Sequence, residues 1–359
     1  MGSLAGLNVA VTGVGGGVGQ AVIRALRLSA GPVWIIGLDA DPWAVGLYQC
    51  DAREVIPAVS DLDAYTSSLK RVVGEHKVGV LIPATDTELH AIASMKEELG
   101  QRGCTAIVSS PDFVRIARDK LLSYRTLVAA GIPFVRTVSA SDFLASYQSA
   151  SFPVMVKPKD GSASVGARVL HGPRDVDRGS IDDEEIVQEY LLPISWKIEN
   201  VQRADVVKMG RLRQEDEVSV QAVIAPGGEI VSVFASVNEL RDGVPIRVCP
   251  TRDAAILSFS RTVFEAFVGM GHVGPCNFQG RMTDNGIVIY EINPRFTGIT
   301  AVRAALGWNE VEAALRLFAC GEPADAVAAR LTYDTDTVCL RYITEQFVER
   351  SDIDRLIGS

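Results

Sequence analysis

The residues best suited to chemistry lie between Gln279 and Arg295, read as two strands joined by a tight turn. The second strand ends Glu291-Ile292-Asn293-Pro294-Arg295. Strand side chains alternate faces, so Glu291 and Asn293 share one side. The turn Asp284-Asn285-Gly286 reads as a three-residue loop with its glycine in the left-handed position. Counting outward from it, 283 faces 287 and Gln279 faces Glu291. Three oxygen-bearing side chains then meet on one sheet face, with Arg295 just beyond. Hard oxygen donors suit Mg²⁺, which takes one or two carboxylates and leaves its other positions to water and phosphate. A two-residue loop would turn Gln279 away. Alone, the pattern fits equally the polar outer face of an ordinary hairpin.

Composition narrows the class. A chain of 359 residues has room for two or three domains, and 47% hydrophobic with 22% charged residues is a globular balance. A net charge of −9 argues against nucleic-acid and anionic-membrane partners, both of which need a basic face. The partners expected are small molecules. The six cysteines show no Cys-x-x-Cys spacing and read as free, buried thiols of a reducing cytosol. Four scattered histidines make a zinc site unexpected. No signal-peptide pattern stands out, and no apolar stretch approaches the roughly 20 residues that span a bilayer. A cytoplasmic protein is expected.

These side chains need a scaffold. An apolar run at 7–11, a glycine turn and helical periodicity through Val18, Val22, Ile23 and Leu26 begin an α/β pattern. Further strands are read at 32–38, 78–82 and 105–108, with a helix containing Leu89, Ile92, Ala93 and Leu99. Alternating strands and helices imply a parallel sheet covered on both faces. This first domain is expected to occupy 1–110. Ser110-Pro111 is a helix start, and the pattern runs toward Ala130 with Gly131 as cap. Strands at 154–157, 167–171 and 185–189 suggest a small α+β lid within 111–191. A hairpin around Pro226-Gly227-Gly228, a helix over 254–270, the metal hairpin and helices near 298–306 and 309–320 fill 192–325. The tail 326–359 carries one strand over 337–343. Segment 192–216 is charged and holds Trp196. It reads as an inserted strand or helix, a substrate lid, an oligomer contact or a tolerated surface insertion.

Thr12-Gly13-Val14-Gly15-Gly16-Gly17-Val18-Gly19 opens a rival reading. With Asp39 ending the second strand, it looks like a dinucleotide fingerprint of an NAD(P)-dependent oxidoreductase. The strict Gly-x-Gly-x-x-Gly pattern fails because position 18 is valine. The Thr-Gly-x-x-x-Gly-x-Gly variant of short-chain dehydrogenases matches, but no tyrosine has a lysine four residues later. A tight strand-to-helix turn also explains the glycines.

Further motifs stand in fixed order. They are Arg118-Asp119-Lys120, Val154-Met155-Val156-Lys157-Pro158 and Asp160-Gly161-Ser162-Ala163-Ser164-Val165-Gly166. Then follow Ile186-Val187-Gln188-Glu189-Tyr190-Leu191, Glu217-Val218-Ser219-Val220-Gln221 and Gly274-Pro275-Cys276-Asn277-Phe278-Gln279. Over about residues 5 to 325 the chain resembles the ATP-grasp superfamily, in the branch similar to the carbamoyl phosphate synthetase large chain and its single-unit carboxylate–amine ligase relatives. The fold so implied is a Rossmann-like pre-ATP-grasp domain followed by a two-subdomain ATP-grasp fold.

The resemblance implies roles. Lys120 and Lys157 would hold phosphates, under a loop using Gly161, Ser162, Ser164 and Gly166. The hinge Gln188-Glu189-Tyr190-Leu191 would read adenine, with walls from Met155 or Val187 and from Phe278. Glu217 would bind ribose hydroxyls. Gln279, Glu291 and Asn293 would bridge Mg²⁺ or Mn²⁺ to the phosphates, and Arg295 would face the γ-phosphoryl group. Arg247 and Arg241 are candidate clamps for a substrate carboxylate. Asp86 and Glu88, at a strand's carboxyl end, are candidate substrate contacts. Gln221 replaces an aspartate frequent in the family. The implied activity joins a carboxylate to an amine through an acyl phosphate, releasing ADP and phosphate. Phosphorylation or carboxylation of another acceptor is the alternative within this fold. Similar proteins are commonly homodimers.

Overall fold

The structure, a computed structural model, describes residues 4–160, 166–194, 207–208, 211–212 and 214–358. Short apolar runs form the parallel strands of the first domain. These are β1 (Asn8–Thr12), β2 (Trp34–Asp39), β3 (Ala52–Val55), β4 (Val80–Ile82) and β5 (Thr105–Ala106), in the order β3-β2-β1-β4-β5. Helices α1 (Gly17–Arg27), α2 (Leu62–Glu75) and α3 (Leu89–Gln101) connect them. The order reverses between β1 and β4, so a crevice opens beyond their carboxyl ends. Strand β3 was not expected from the sequence. Ala-Arg-Glu-Val is short, charged and only half-buried at the sheet edge, which hides the period-2 signal.

Two helices stand where one was expected. Ser110 Oγ accepts from the Phe113 amide and starts α4 (Pro111–Arg118). Asp119, in extended conformation, ends it and caps α5 (Lys120–Ala129) by accepting from the Leu121 and Leu122 amides at 2.9 and 3.0 Å. The break sets Lys120 at the first position of α5.

The lid holds β6 (Thr137–Ser139), α6 (Ala140–Ser146), β7 (Val154–Pro158), β8 (Arg168–Leu170) and β9 (Glu185–Glu189), paired as β6-β9-β7-β8. Strands β10 (Val207–Lys208) and β11 (Arg211–Leu212) pair within the charged segment, much of which lies outside the described residues. A six-stranded sheet follows, built from β12 (Gln214–Ile224), β13 (Ile230–Arg241), β14 (Val244–Thr251), β15 (Gly274–Thr283), β16 (Gly286–Asn293) and β17 (Cys339–Leu340). Its order is β16-β15-β12-β13-β14-β17. Helix α7 (Ala254–Gly269) packs Ile256, Val263, Phe264 and Phe267 against it.

Helices α8 (Thr300–Ala305), α9 (Glu310–Phe318) and α10 (Ala324–Ala328) return toward the first domain. Ala304, Val311, Ala314 and Leu315 share one core with Val9, Val11, Val22, Val80 and Ile82. The tail strand shortens to two residues. An unforeseen helix, α11 (Arg350–Ile357), follows with no buried residue, so its burial pattern gave no sequence signal. Among the described residues no helix is long and apolar enough to cross a membrane.

Candidate active site

The hairpin carrying the metal candidates is built differently from the expectation, yet reaches the same pairing. Thr283 pairs with Gly286, so the loop has two residues, and Gly280 pairs with Ile289. A bulge at Tyr290 then adds one residue to β16 and brings Gln279 opposite Glu291, with Asn277 opposite Asn293. The bulge has a second effect. Tyr290 and Glu291 both line the site, whereas strict alternation would send them to opposite faces.

Between lid and large sheet lies a pocket that unites Lys120, Lys157, the hinge Gln188–Leu191, Glu217 and Glu291. Met155 pairs with Gln188 in the β7–β9 register, and both line it. The Lys120 ammonium lies 3.4 Å from the Glu291 carboxylate. Burial pulls the Lys157 ammonium down to about 7; the charge of Lys120 pushes the same way and Glu291 opposes. Glu217 accepts from Tyr290 Oη at 2.6 Å and Asn238 Nδ2 at 3.3 Å. Burial still holds its carboxyl above the usual carboxylate range.

The hinge groups are partly committed. The Glu189 amide donates to the Arg136 carbonyl at 3.1 Å, and Arg281 donates to the Leu191 carbonyl. Arg281 also lies over the Tyr190 ring, 5.4 Å from its centroid. Gln188 donates from Nε2 to Thr137 Oγ1 at 3.0 Å, which fixes its side chain in the wall. Of the glycine-rich loop, Gly161, Ser162 and Ser164 lie outside the described residues. Gly166 has φ +74°, where a Cβ would be strained and would also press on Pro158 at 3.2 Å.

Gln279, Glu291, Asn293 and Arg295 line an adjoining cavity of about 390 Å³ that shares Glu217, Tyr290 and Glu291 with the first. One carboxylate and two amide oxygens make an all-oxygen donor set of the kind Mg²⁺ takes. Among the described residues no group of three His, Cys, Asp or Glu side chains converges.

Arg295 is buried and its fork is already engaged. It donates to Asp86 through Nε at 2.8 Å and Nη2 at 2.5 Å, and through Nη1 to the Phe296 carbonyl at 2.8 Å. Arg118 lies 3.2 Å from the same carboxylate and also donates to the Asp160 carbonyl at the root of the glycine-rich loop. The two guanidinium groups hold the Asp86 carboxyl well below the usual carboxylate range despite burial. Asp86, suggested above as a substrate contact, lines this cavity and also joins three segments.

Other sequence-derived assignments also change. Glu88 is buried and saturated. It accepts from Thr12 Oγ1 and Tyr65 Oη, both at 2.6 Å, and from the Ala84 and Thr85 amides, so it braces the crevice rather than meeting substrate. Phe278 points into the core beside Phe259 and Phe264, and Val187 into the lid core; neither lines the pocket. Apolar lining comes from Met155, Ala167, Leu191 and Tyr290. Arg247 pairs with Glu239 at 3.1 Å, and neither it nor exposed Arg241 lines the cavity. Gln221 is buried, donating to the Arg295 carbonyl at 3.3 Å and accepting from Arg303 at 3.2 Å; its role is scaffolding. Asp39 accepts from the Gly15 and Asp41 amides at 2.7 and 3.0 Å. The acid the oxidoreductase reading needs for ribose is thus used by its own glycine turn. Gly19 explains another glycine, since a Cβ there would come within 2.5 Å of the Gly13 carbonyl.

Residues 10–107 match the family described as PylC-like, N-terminal domain. A formate-dependent phosphoribosylglycinamide formyltransferase from Parasynechococcus marenigrum (strain WH8102) is 30% identical over 148 residues, 40% of this chain. That stretch is 36% of the relative, so the chain spans about a third of its length. Among solved structures, an N5-carboxyaminoimidazole ribonucleotide synthetase in complex with ADP aligns with a TM-score of 0.66 at 17% identity, covering 89% of this chain and 78% of that one. An L-amino acid ligase from Bacillus licheniformis aligns with a TM-score of 0.62 at 13% identity, covering 87% and 74%. At such identities the structural likeness speaks for the fold. That fold is a Rossmann-like domain followed by the two-subdomain ATP-grasp fold, which the ordered motifs also resemble.

Proposed function

We propose that the chain is an ATP-dependent carboxylate–amine ligase, forming an amide through an acyl phosphate and releasing ADP and phosphate. One observation carries this reading. The pocket of the hinge and the cavity of the oxygen set share Glu217, Tyr290 and Glu291. A nucleotide seated at the hinge would therefore point its phosphates at Gln279, Glu291 and Asn293. The Glu189 carbonyl and Leu191 amide are the hinge groups that would meet adenine, given the commitments of their neighbours. Glu217 would accept from ribose hydroxyls, and Lys120 and Lys157 would face the phosphates. Mg²⁺, or Mn²⁺, held by Gln279, Glu291 and Asn293 would offset phosphate charge.

The chemistry needs two anions to approach. A substrate carboxylate oxygen attacks the γ-phosphorus, and the bond to ADP breaks. Lys157 supplies positive charge there, as does the Asp86–Arg295–Arg118 group, in which two cations surround one carboxylate. An amine nitrogen then attacks the acyl carbon, the carbon–oxygen bond to phosphate breaks and the amine proton leaves to solvent. The names of the formate-dependent relative and of the L-amino acid ligase support small carboxylates and amines as substrates.

The test is an ATP-dependent hydroxylamine trap across amino acids, hydroxy acids, sugar acids and formate. Hydroxamate with ADP is expected. AMP would overturn the mechanism in favour of adenylation. ADP without hydroxamate would move the acceptor away from carboxylates.

A further inference from the structure

We propose that Arg341, carried in by the C-terminal strand, binds a second anionic group of the substrate, at the far end of the cavity from the carboxylate that is activated. This rests on the ligase reading above. Arg341 lines the same cavity of about 390 Å³ as Gln279, Glu291 and Arg295. Its position is fixed. The backbone amide donates to the Ile246 carbonyl at 2.9 Å, and Nη1 donates to the Pro245 carbonyl at 2.8 Å.

Its charge lacks an acid. Among the described residues Arg295 has Asp86, Arg303 has Glu310, Arg247 has Glu239 and Arg316 has Glu312 and Glu322. Among the described residues no carboxylate pairs with Arg341. Burial and the like charge of Arg24 on α1 both disfavour its charged form. A half-buried cation under repulsion is costly unless an anion completes it. Gly16 and Gly17, at the start of α1, line the same cavity, and the first turn of α1 has no acidic residue. Backbone N–H groups and the positive end of the helix dipole add to the pull on an anion.

Distance separates this end from the reacting end. β17 lies four strands from β15 in the sheet order. At about 4.8 Å per strand the two backbones are about 19 Å apart, and their side chains enter the cavity from separate strands. The substrate so inferred carries two anionic groups, one for each end of the cavity. A guanidinium fork matches a carboxylate or a phosphate monoester equally, and these are the two forms the second group can take.

The experiment titrates succinate and 3-phosphoglycerate, each with a carboxylate and a second anion, into the full chain saturated with MgADP, by calorimetry. Wild type should bind one of the two. Arg341→Ala should weaken that binding at least about tenfold, and Arg341→Lys should restore part of it, since lysine keeps the charge but loses the fork. Arg261→Ala, on the exposed face of α7, should leave both titrations unchanged. Succinate alone binding names a dicarboxylate substrate, and 3-phosphoglycerate alone a phosphorylated one. Failure of both anions to bind wild type overturns the proposal, as does equal binding by Arg341→Ala. MgADP is titrated first in each variant. If it fails to bind wild type, the nucleotide reading falls, and the anion titrations without nucleotide still decide the role of Arg341.

Discussion

Lys157 meets phosphate at a disadvantage that pH can reveal. In the nucleotide-free site its ammonium is held at about 7 against an ordinary 10.5, chiefly by burial. The depressed value means that burying the ammonium costs stability, in full below about pH 7 and less and less toward 10.5. Phosphate favours the charged form, so nucleotide binding above pH 7 must take up a proton. MgATP affinity should fall as pH rises above neutrality, toward a limit of about tenfold per pH unit. Lys157→Met should remove most of that slope. Calorimetry in two buffers of different ionisation heat reads the proton directly, and equal heats would contradict the assignment. Asp86 makes the opposite kind of statement, because its charge is overcompensated. Asp86→Asn leaves Arg295 and Arg118 facing each other with no acid between them. Breaking a buried pair in this way costs about 3–5 kcal/mol, readable in urea unfolding. Turnover should fall more than MgADP affinity, since Arg295 lines the cavity proposed for the reacting group and not the hinge pocket.

The β15–β16 hairpin shows how far an element can be read from sequence. Period-2 alternation and the Asn285-Gly286 pair revealed both strands, and pairing Gln279 with Glu291 held. It held for a reason not visible in the residues. The loop is one residue shorter than read, and the bulge at Tyr290 adds that residue back inside the strand. Bulges have no strong composition signal, so Tyr290 was missed as a site residue. Its hydroxyl is one of two side-chain donors holding Glu217. Tyr290→Phe leaves a buried carboxylate on the 3.3 Å amide of Asn238 alone, at a cost of about 1–3 kcal/mol. Glu217→Gln should not share that penalty. Folding raises the Glu217 value, so its ionised form costs stability as pH rises above the ordinary carboxylate range. The amide removes that dependence while weakening nucleotide binding. Stability profiles from pH 4 to 8 separate the two variants; a Tyr290→Phe protein as stable as wild type would discount the bulge.

At the scale of the molecule, the motifs were legible in order because each sits on a strand end or turn with its own local signature. Their pairing across domains was not. Arg295 and Asp86 are 209 residues apart, and no local pattern says that one will neutralise the other. The same holds for Arg341, whose tail reads as a weak strand until β14 pairs with it. The shared core has the same character. Periodicity marks Val9, Val11, Val80 and Ile82 as buried but cannot say against what; the answer includes Val311, Ala314 and Leu315 from the far end of the chain. The parallel sheet is therefore stabilised by helices outside it, and its opening should be coupled to theirs. Leu315→Ala removes a fully buried side chain of α9, a change costing about 2–5 kcal/mol. Native-state hydrogen exchange should then accelerate in peptides from β1 and β4, not only in those from α9. Exchange confined to α9 would mean that the first domain is held by its own helices alone. Acceleration in both places would mean that the wall carrying Gly16 and Gly17 and helix α9 are held by one core.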